Sequence, residues 1–381
     1  MHRALETPVI LLLIFEELDS ASSLMACAKV CRGWHAEAMF LRVKSYPVSL
    51  FNLIQTMAPI LLNTTDGEGG FFASLDVPTD RRAITSLDSS LLTGVGANVQ
   101  SISFDLALDP CSAMMIRGAT RSHIGPILPR LKGLVIRPEI ERWDLTSIFT
   151  ALDFLFSISS PVTTVTFADD CDASYVKGMV ESFAMNQLPI SRLCRGRLSD
   201  EDEWPDDIGY DFLWDVAQVE LLQPPSAEEW CQLGDCASLQ ELIVREPAAS
   251  TGCYYGPVVN FQRLQTLQVP WTMLALLEHT VIPNLRHITL TSFGDASHEG
   301  LVLRKGSFIS TLTNHSPQLQ EIHLHDIFVG ALDILQPILG LKHIKVIKLL
   351  DVDWGNAQDE DLETIALSLP LLQTFVLRDK R

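Results

Sequence analysis

Residues 239–290 read LQELIVREPAASTGCYYGPVVNFQRLQTLQVPWTMLALLEHTVIPNLRHITL and hold one six-residue pattern three times. LQELIV (Leu239–Val244), LQTLQV (Leu264–Val269) and LRHITL (Leu285–Leu290) each run apolar-x-x-apolar-x-apolar. The alternation at the end of each copy is that of a strand with one buried face. A pattern that recurs at near-regular spacing marks units that stack, because none buries its apolar side alone.

The same pattern begins at Val99 (VQSISF), Leu131 (LKGLVI), Val162 (VTTVTF), Ile190 (ISRLCR, degenerate), Val216 (VAQVEL), Leu319 (LQEIHL), Ile344 (IKVIKL) and Leu372 (LQTFVL). The eleven starts lie 21 to 34 residues apart. Pro129, Pro161, Pro283, Pro317 and Pro370 stand one or two residues ahead of a copy, where a proline ends a preceding helix. Helical spacing behind acidic or small starts predicts helices over Asp172–Met185, Ser297–His315 and Gln358–Leu369. The pattern resembles the leucine-rich repeat family, in the irregular form that follows F-boxes in many fungal proteins. That resemblance implies an α/β repeat: strand-helix units in a solenoid with a parallel sheet on the concave face. The Asn that normally follows the strand in that family is missing.

A different sequence stands at the N-terminus: TPVILLLIFEELDSASSLMACAKVCRGWHAEAMFLR, Thr7–Arg42. Thr7 suits a cap and Pro8 the first turn, so Pro8–Leu18 is predicted to start a helix. Val9 to Phe15 leave it no polar face, so part of it needs a partner. A second helix is expected from Asp19 or Ser20, with Leu24, Cys27, Ala28 and Cys31 on one face and Trp34 continuing that side after Gly33. The stretch resembles the F-box family, especially the form common in fungal proteins, through PVILLLIFEELD (Pro8–Asp19) and VCRGW (Val30–Trp34). Val9 stands where that family often has Glu, and Glu6-Thr7-Pro8 replaces its usual Leu-Pro opening. The resemblance implies docking on a Skp-type adaptor through residues among Pro8, Leu11, Leu12, Phe15, Leu18, Leu24, Val30, Cys31 and Trp34.

The expected organisation is therefore an F-box-like helical domain over 1–45 and a repeat array over 96–381. Between them, 46–95 are expected to supply linking helices and a Gly-rich loop, Asp66–Gly70, that brace the array. A secretory leader fits the start poorly: Glu6 lies where a basic region is needed, and Glu16-Glu17 follow the apolar run directly. Val9–Phe15 is also far shorter than the roughly 20 apolar residues of a membrane span.

The chain has 381 residues, with 47 acidic against 28 basic side chains and a formal charge of −19. Such a charge repels nucleic-acid backbones and anionic membranes, so neither is expected as a partner, and it favours basic protein partners. Eight cysteines spread through apolar patterns read as reduced thiols of a cytoplasmic or nuclear protein.

No hydrolase elbow, phosphate loop, dinucleotide fingerprint, zinc-protease or kinase motif is present, so no enzyme, cofactor or metal is expected. Cys27, Cys31 and His35 fall on one helical stripe, but Gly33 interrupts it and no fourth ligand is near. His323 and His325 share a strand face, as a metal-binding pair would. Positions three and five of each copy point away from the core, which lines up His287, Thr289, Glu321, His323 and Lys348. With Arg245, Gln268 and Arg378 they make a polar strip suited to a target protein, or simply a solvated strand face. The acidic stretch Asp200–Asp211 reads as a surface loop around Trp204.

Together these features imply the substrate-recognition subunit of an SCF-type ubiquitin ligase. The alternative is a leucine-rich-repeat interaction scaffold whose N-terminal helices only cap the array.

Overall fold

A computed structural model of the chain describes residues 7–18, 20–50, 53, 63–67, 70–74, 96–104, 106–108, 126–137, 145–185, 187–198, 215–246, 256–291, 308–325, 336–352 and 359–379. They belong to two compact units, Met1–Cys171 and Asp172–Arg381. This division falls inside the span expected as one array.

The first unit opens with three helices. Helix α1 (Pro8–Glu16) carries Pro8 in its first turn, where a missing N–H costs nothing. Helix α2 (Ala21–Ala28) is capped by Ser20, whose Oγ accepts the Ser23 N–H at 3.1 Å. The expected single second helix is in fact two. Lys29 and Val30 close α2 with tight bonds to Ala26 and Cys27, and helix α3 (Arg32–Ser45) restarts with Cys31 as its N-cap residue. His35 ties the two ends together, its Nδ1 lying 3.1 Å from the Ala28 carbonyl oxygen.

Strand β1 (Val48–Ser49) follows, then a hairpin of β2 (Asn63–Gly67) and β3 (Gly70–Ser74). Gly67 pairs with Gly70 at the end of the antiparallel ladder. The Gly-rich segment expected to join helices is thus flanked by paired strands, in keeping with the β-prone Thr64, Thr65, Phe71 and Phe72 around it. Most of the remaining residues expected to link helices lie outside the described residues. Strands β4 (Ser101–Phe104), β5 (Leu106–Leu108), β6 (Gly133–Ile136) and β7 (Thr164–Phe167) complete the unit. β1, β4, β6 and β7 pair in that order, all parallel, while β5 lies parallel to β3. Ile102, Leu134 and Val165 form one buried row across three strands, and Phe104, Ile136 and Phe167 the next. Helix α4 (Leu145–Ile158) joins β6 to β7 and buries Ile148, Leu152 and Leu155.

In the second unit, eight parallel strands follow one another in chain order among the described residues. They are β8 (Arg192–Arg195), β9 (Gln218–Leu221), β10 (Glu241–Val244), β12 (Thr266–Pro270), β14 (His287–Thr291), β15 (Glu321–His325), β16 (Val346–Val352) and β17 (Thr374–Asp379). The short strands β11 (Val259–Asn260) and β13 (Thr280–Val281) pair separately. The register places like on like, so Leu242, Leu267, Ile288, Ile322 and Ile347 make one row, and Val244, Val269, Leu290, Leu324 and Leu349 another. Each buried aliphatic side chain in such a row stabilises by about 1.5–3 kcal/mol relative to an exposed one. The rows fade at β17, where Leu377 is exposed.

Parallel neighbours need crossovers, and helices supply several of them. Helix α5 (Ala173–Met185), preceded by Asp172 whose carboxylate accepts the Tyr175 N–H, buries Val176, Met179, Val180 and Phe183. Helix α6 (Ala227–Asp235) buries Trp230 and Leu233. The helix Asp359–Ser368 lies where one was expected, and 308–315 form the described part of the helix expected from Ser297.

Side chains on the entry side of the strands tie neighbouring copies together. Ser238 Oγ donates to the Val216 carbonyl at 2.8 Å, Asn284 Nδ2 to Gln262 at 2.7 Å and Ser316 Oγ to Ile282 at 2.8 Å. Each bond runs from one copy to its predecessor and satisfies a carbonyl that a turn would otherwise strand.

Candidate functional site

The N-terminal helices close on a small core of Leu11, Phe15, Leu24, Ala28, Ala38 and Leu41. Trp34 packs edge-on against Phe15, ring centroids 5.4 Å apart, and the Tyr46 hydroxyl donates to the Leu18 carbonyl at 3.3 Å. Leu11, Phe15 and Leu24, expected among the partner-facing residues, are therefore internal. Their role is to hold the helices together. Leu12, Leu18 and Trp34 are half-buried against the same core, Cys31 is half-buried at the head of α3, and Pro8 and Val30 are exposed.

The apolar residues that α1 leaves in solvent are others: Val9 at 65% exposure, Ile10 at 37%, Leu13 at 61% and Ile14 at 43%. At 100° per residue these four share one side of the helix, and Leu11 and Phe15 lie on the opposite side. Met25 of α2 is exposed as well. The signal for this side was present in the sequence, since a helix apolar all round with only i, i+4 anchors in a small core must leave the rest outside.

The second surface is the polar face of the second unit's sheet. Gln268, Thr289, His323 and Lys348 stand in register on β12, β14, β15 and β16, as the repeat spacing required. His287 and Glu321 form the neighbouring row, with His287 Nδ1 3.2 Å from Glu321 Oε2. His323 Nδ1 lies 3.5 Å from Thr289 Oγ1, and its Nε2 lies 3.9 Å from Glu321 Oε2. Burial, with Lys348 beside it, holds the His323 pKa below the ordinary histidine value. His323 and His325 lie two residues apart on one face, and no group of three or more side chains is placed to hold a metal ion among the described residues. Arg378 sits apart from the row, 4.0 Å from Asp351.

Arg245 belongs to a cluster that sequence reasoning missed. Glu220 Oε2 accepts from Arg192 at 2.8 Å and Glu220 Oε1 from Arg245 at 2.9 Å. Burial pushes the Glu220 carboxyl up, but the hydrogen bonds and charges of the two guanidinium groups outweigh it, so its pKa lies below the ordinary value. Applying the third-and-fifth-position rule to ISRLCR and VAQVEL would have found both Arg192 and Glu220. The acidic stretch Asp200–Asp211 with Trp204 lies outside the described residues. A cleft of about 570 Å³ beside α6 and β11 is lined by Cys231, Asp235, Asn260 and Arg263 among others.

Residues 8–39 match the F-box-like family, a span that takes in α1, α2 and the first half of α3. The N-terminal helices are thus an F-box-like region, which supports an F-box protein, and F-box domains generally bind Skp-type adaptors of cullin ligases. Comparison with curated proteins finds no match to the chain.

Proposed function

We propose that the chain is the substrate-recognition subunit of an SCF-type cullin-RING ubiquitin ligase, with α1 docking on a Skp-type adaptor and a leucine-rich-repeat solenoid holding the target protein. The observation that carries this reading is the F-box-like span whose first helix keeps Val9, Ile10, Leu13 and Ile14 in solvent. A contiguous apolar helix side held in water marks an interaction surface. The reading assigns the chain no bond chemistry, cofactor or metal. It raises the effective concentration of a target lysine near a ubiquitin-charged enzyme bound elsewhere in the assembly, in the cytoplasm or nucleus. Neither nucleic acid nor membrane is a partner in this reading; among the described residues no helix is long and apolar enough to cross a bilayer.

The scaffold alternative, in which these helices only cap the array, would have α1 turn its apolar residues inward. Val9 and Leu13, both more than half exposed, weigh against it. Pull-down of a Skp-type adaptor tests the choice. Capture by the native chain and loss of capture with Leu13→Asp plus Ile14→Asp, in a variant that melts normally, is the expected result. A well-folded chain that captures no adaptor sinks the ligase reading.

A further inference from the structure

The polar sheet face of the second unit is electrically uneven. On β8–β10, Arg192 and Arg245 are both bound to Glu220, and Arg197 pairs with Glu246 at 2.6 Å, so the cations there are already matched. On β14–β16 Arg286, Lys345 and Lys348 have no such carboxylate among the described residues. Arg286 and Lys345 stand at the entries to β14 and β16, Lys348 on β16, and His287, His323 and His325 on the strands between. Glu321 is the one acidic side chain on these three strands' polar face before Asp351, and two of the histidines crowd it. Lys345 Nζ donates to the Gln320 amide oxygen at 3.3 Å, and among the described residues no ion pair joins Arg286, Lys345 or Lys348 to an acid.

On a chain of net charge −19, three cations on neighbouring copies without carboxylate partners among the described residues run against the overall field. Acidic side chains were available throughout the sequence to neutralise them, as Glu220 on β9 does for Arg192 and Arg245, three copies before β14. The rows around them hold Thr289, Gln268 and half-buried His323, a hydrogen-bonding platform on which Val346 and Leu350 are the part-exposed apolar members on β16. Such a platform suits an extended backbone laid across the strands, with acidic side chains reaching Arg286, Lys345 and Lys348.

We propose that the β14–β16 part of this face receives a carboxylate-rich segment of the target protein, docked in extended form. This rests on the sheet face being the target-binding surface in the reading above. It also reverses the expectation drawn from net charge alone, that partners are basic. The total charge describes the whole surface, whereas docking is decided by the patch that is touched.

Fluorescence anisotropy with the full chain and a labelled Glu/Ser peptide, long enough to cross β14–β16 (about 10 Å at about 4.8 Å per strand step), tests it. Matching Gln/Ser, Lys/Ser and phosphoserine peptides are the other arms. The expected result is binding of the Glu/Ser peptide that weakens with added salt and falls at least about tenfold in Arg286→Glu plus Lys348→Glu, with unchanged melting. Arg192→Ala should leave it within about twofold, since Arg192 is already matched by Glu220. Glu/Ser binding no tighter than Gln/Ser, preference for Lys/Ser, indifference to the double variant, or binding of the phosphoserine peptide alone would each overturn the assignment. Adaptor capture on the same samples separates the two proposals. Capture without Glu/Ser binding defeats this one alone, and Glu/Ser binding without capture defeats only the ligase reading.

Discussion

Arg195 Nη2 lies 3.2 Å from Glu229 Oε1, with the two side chains 0% and 1% exposed. Arg195 occupies the slot that Leu221 and Val244 fill in the next two copies, so a charge stands where the repeat calls for an aliphatic side chain. Its partner comes from the first turn of α6, where Glu229 also accepts the Ser226 N–H while the Ser226 hydroxyl accepts the Glu229 N–H. One carboxylate thus caps a helix and neutralises the copy beneath it.

Breaking that pair is expected to be expensive, because the surviving guanidinium would stay buried without its carboxylate. Glu229→Ala should lower unfolding free energy by about 3–5 kcal/mol. Replacing both residues by Leu should recover most of the loss, since it restores the apolar row. Urea melts of the three proteins check this; a double variant as unstable as the single one would show that the pair is not what the slot requires.

The small N-terminal core and the outer side of α1 should respond differently. Phe15→Ala removes a fully buried ring that carries Trp34, and a loss of about 3–5 kcal/mol is expected. Leu13→Ala, at an exposed site, should change stability by no more than about 0.5 kcal/mol while weakening adaptor capture. Thermal melts beside pull-downs separate the two effects, and equal melting of the two variants would contradict the burial.

The lowered His323 pKa gives stability a pH dependence of definite sign. The unfolded chain takes up its proton near the ordinary value of 6.5, before the folded chain does. The contribution is therefore fully present above that value and is lost as pH falls through the window down to the folded pKa. His323→Gln should flatten this part of the stability profile between neutral and mildly acid pH. Histidine NMR titration measures the pKa directly, and a value at or above the ordinary one would refute the assignment.

Ser316, fully buried, tests the bonds that join successive copies. Its Oγ is the donor to the Ile282 carbonyl, so Ser316→Ala leaves that oxygen without this partner and should cost about 1–3 kcal/mol. Denaturant titration reads the change; a difference under about 0.3 kcal/mol would mean the carbonyl is satisfied otherwise.

Much of the second unit was legible in advance because strand alternation and repeat spacing are local properties. Once LRHITL and LQEIHL stack in register, His287 must meet Glu321 and Thr289 must meet His323, and they do. The degenerate copy ISRLCR was legible only as a fault. Glu229 comes from a helix 34 residues away in sequence, and no local pattern announces that it will match Arg195. The hairpin at 63–74 was misread for a related reason: Thr-rich and Gly-rich segments fit a turn between strands as well as a loop between helices, and pairing of β3 with β5 settles it.

The helices at the N-terminus divide the same way. Sequence alone established that α1 is helical, because Pro8 opens it and the strong helix formers Leu11, Leu12 and Leu13 sustain it, and that it has more apolar surface than a small core can take. Which residues that core takes was decided by the tertiary structure. Helix α2 breaks at Lys29-Val30, α3 turns Trp34 onto Phe15, and that angle draws Leu11, Phe15 and Leu24 inward while Val9, Ile10, Leu13 and Ile14 stay in solvent. Periodicity prescribes that an amphipathic or all-apolar helix has sides. Only the packing of its neighbours chooses which side is the inside.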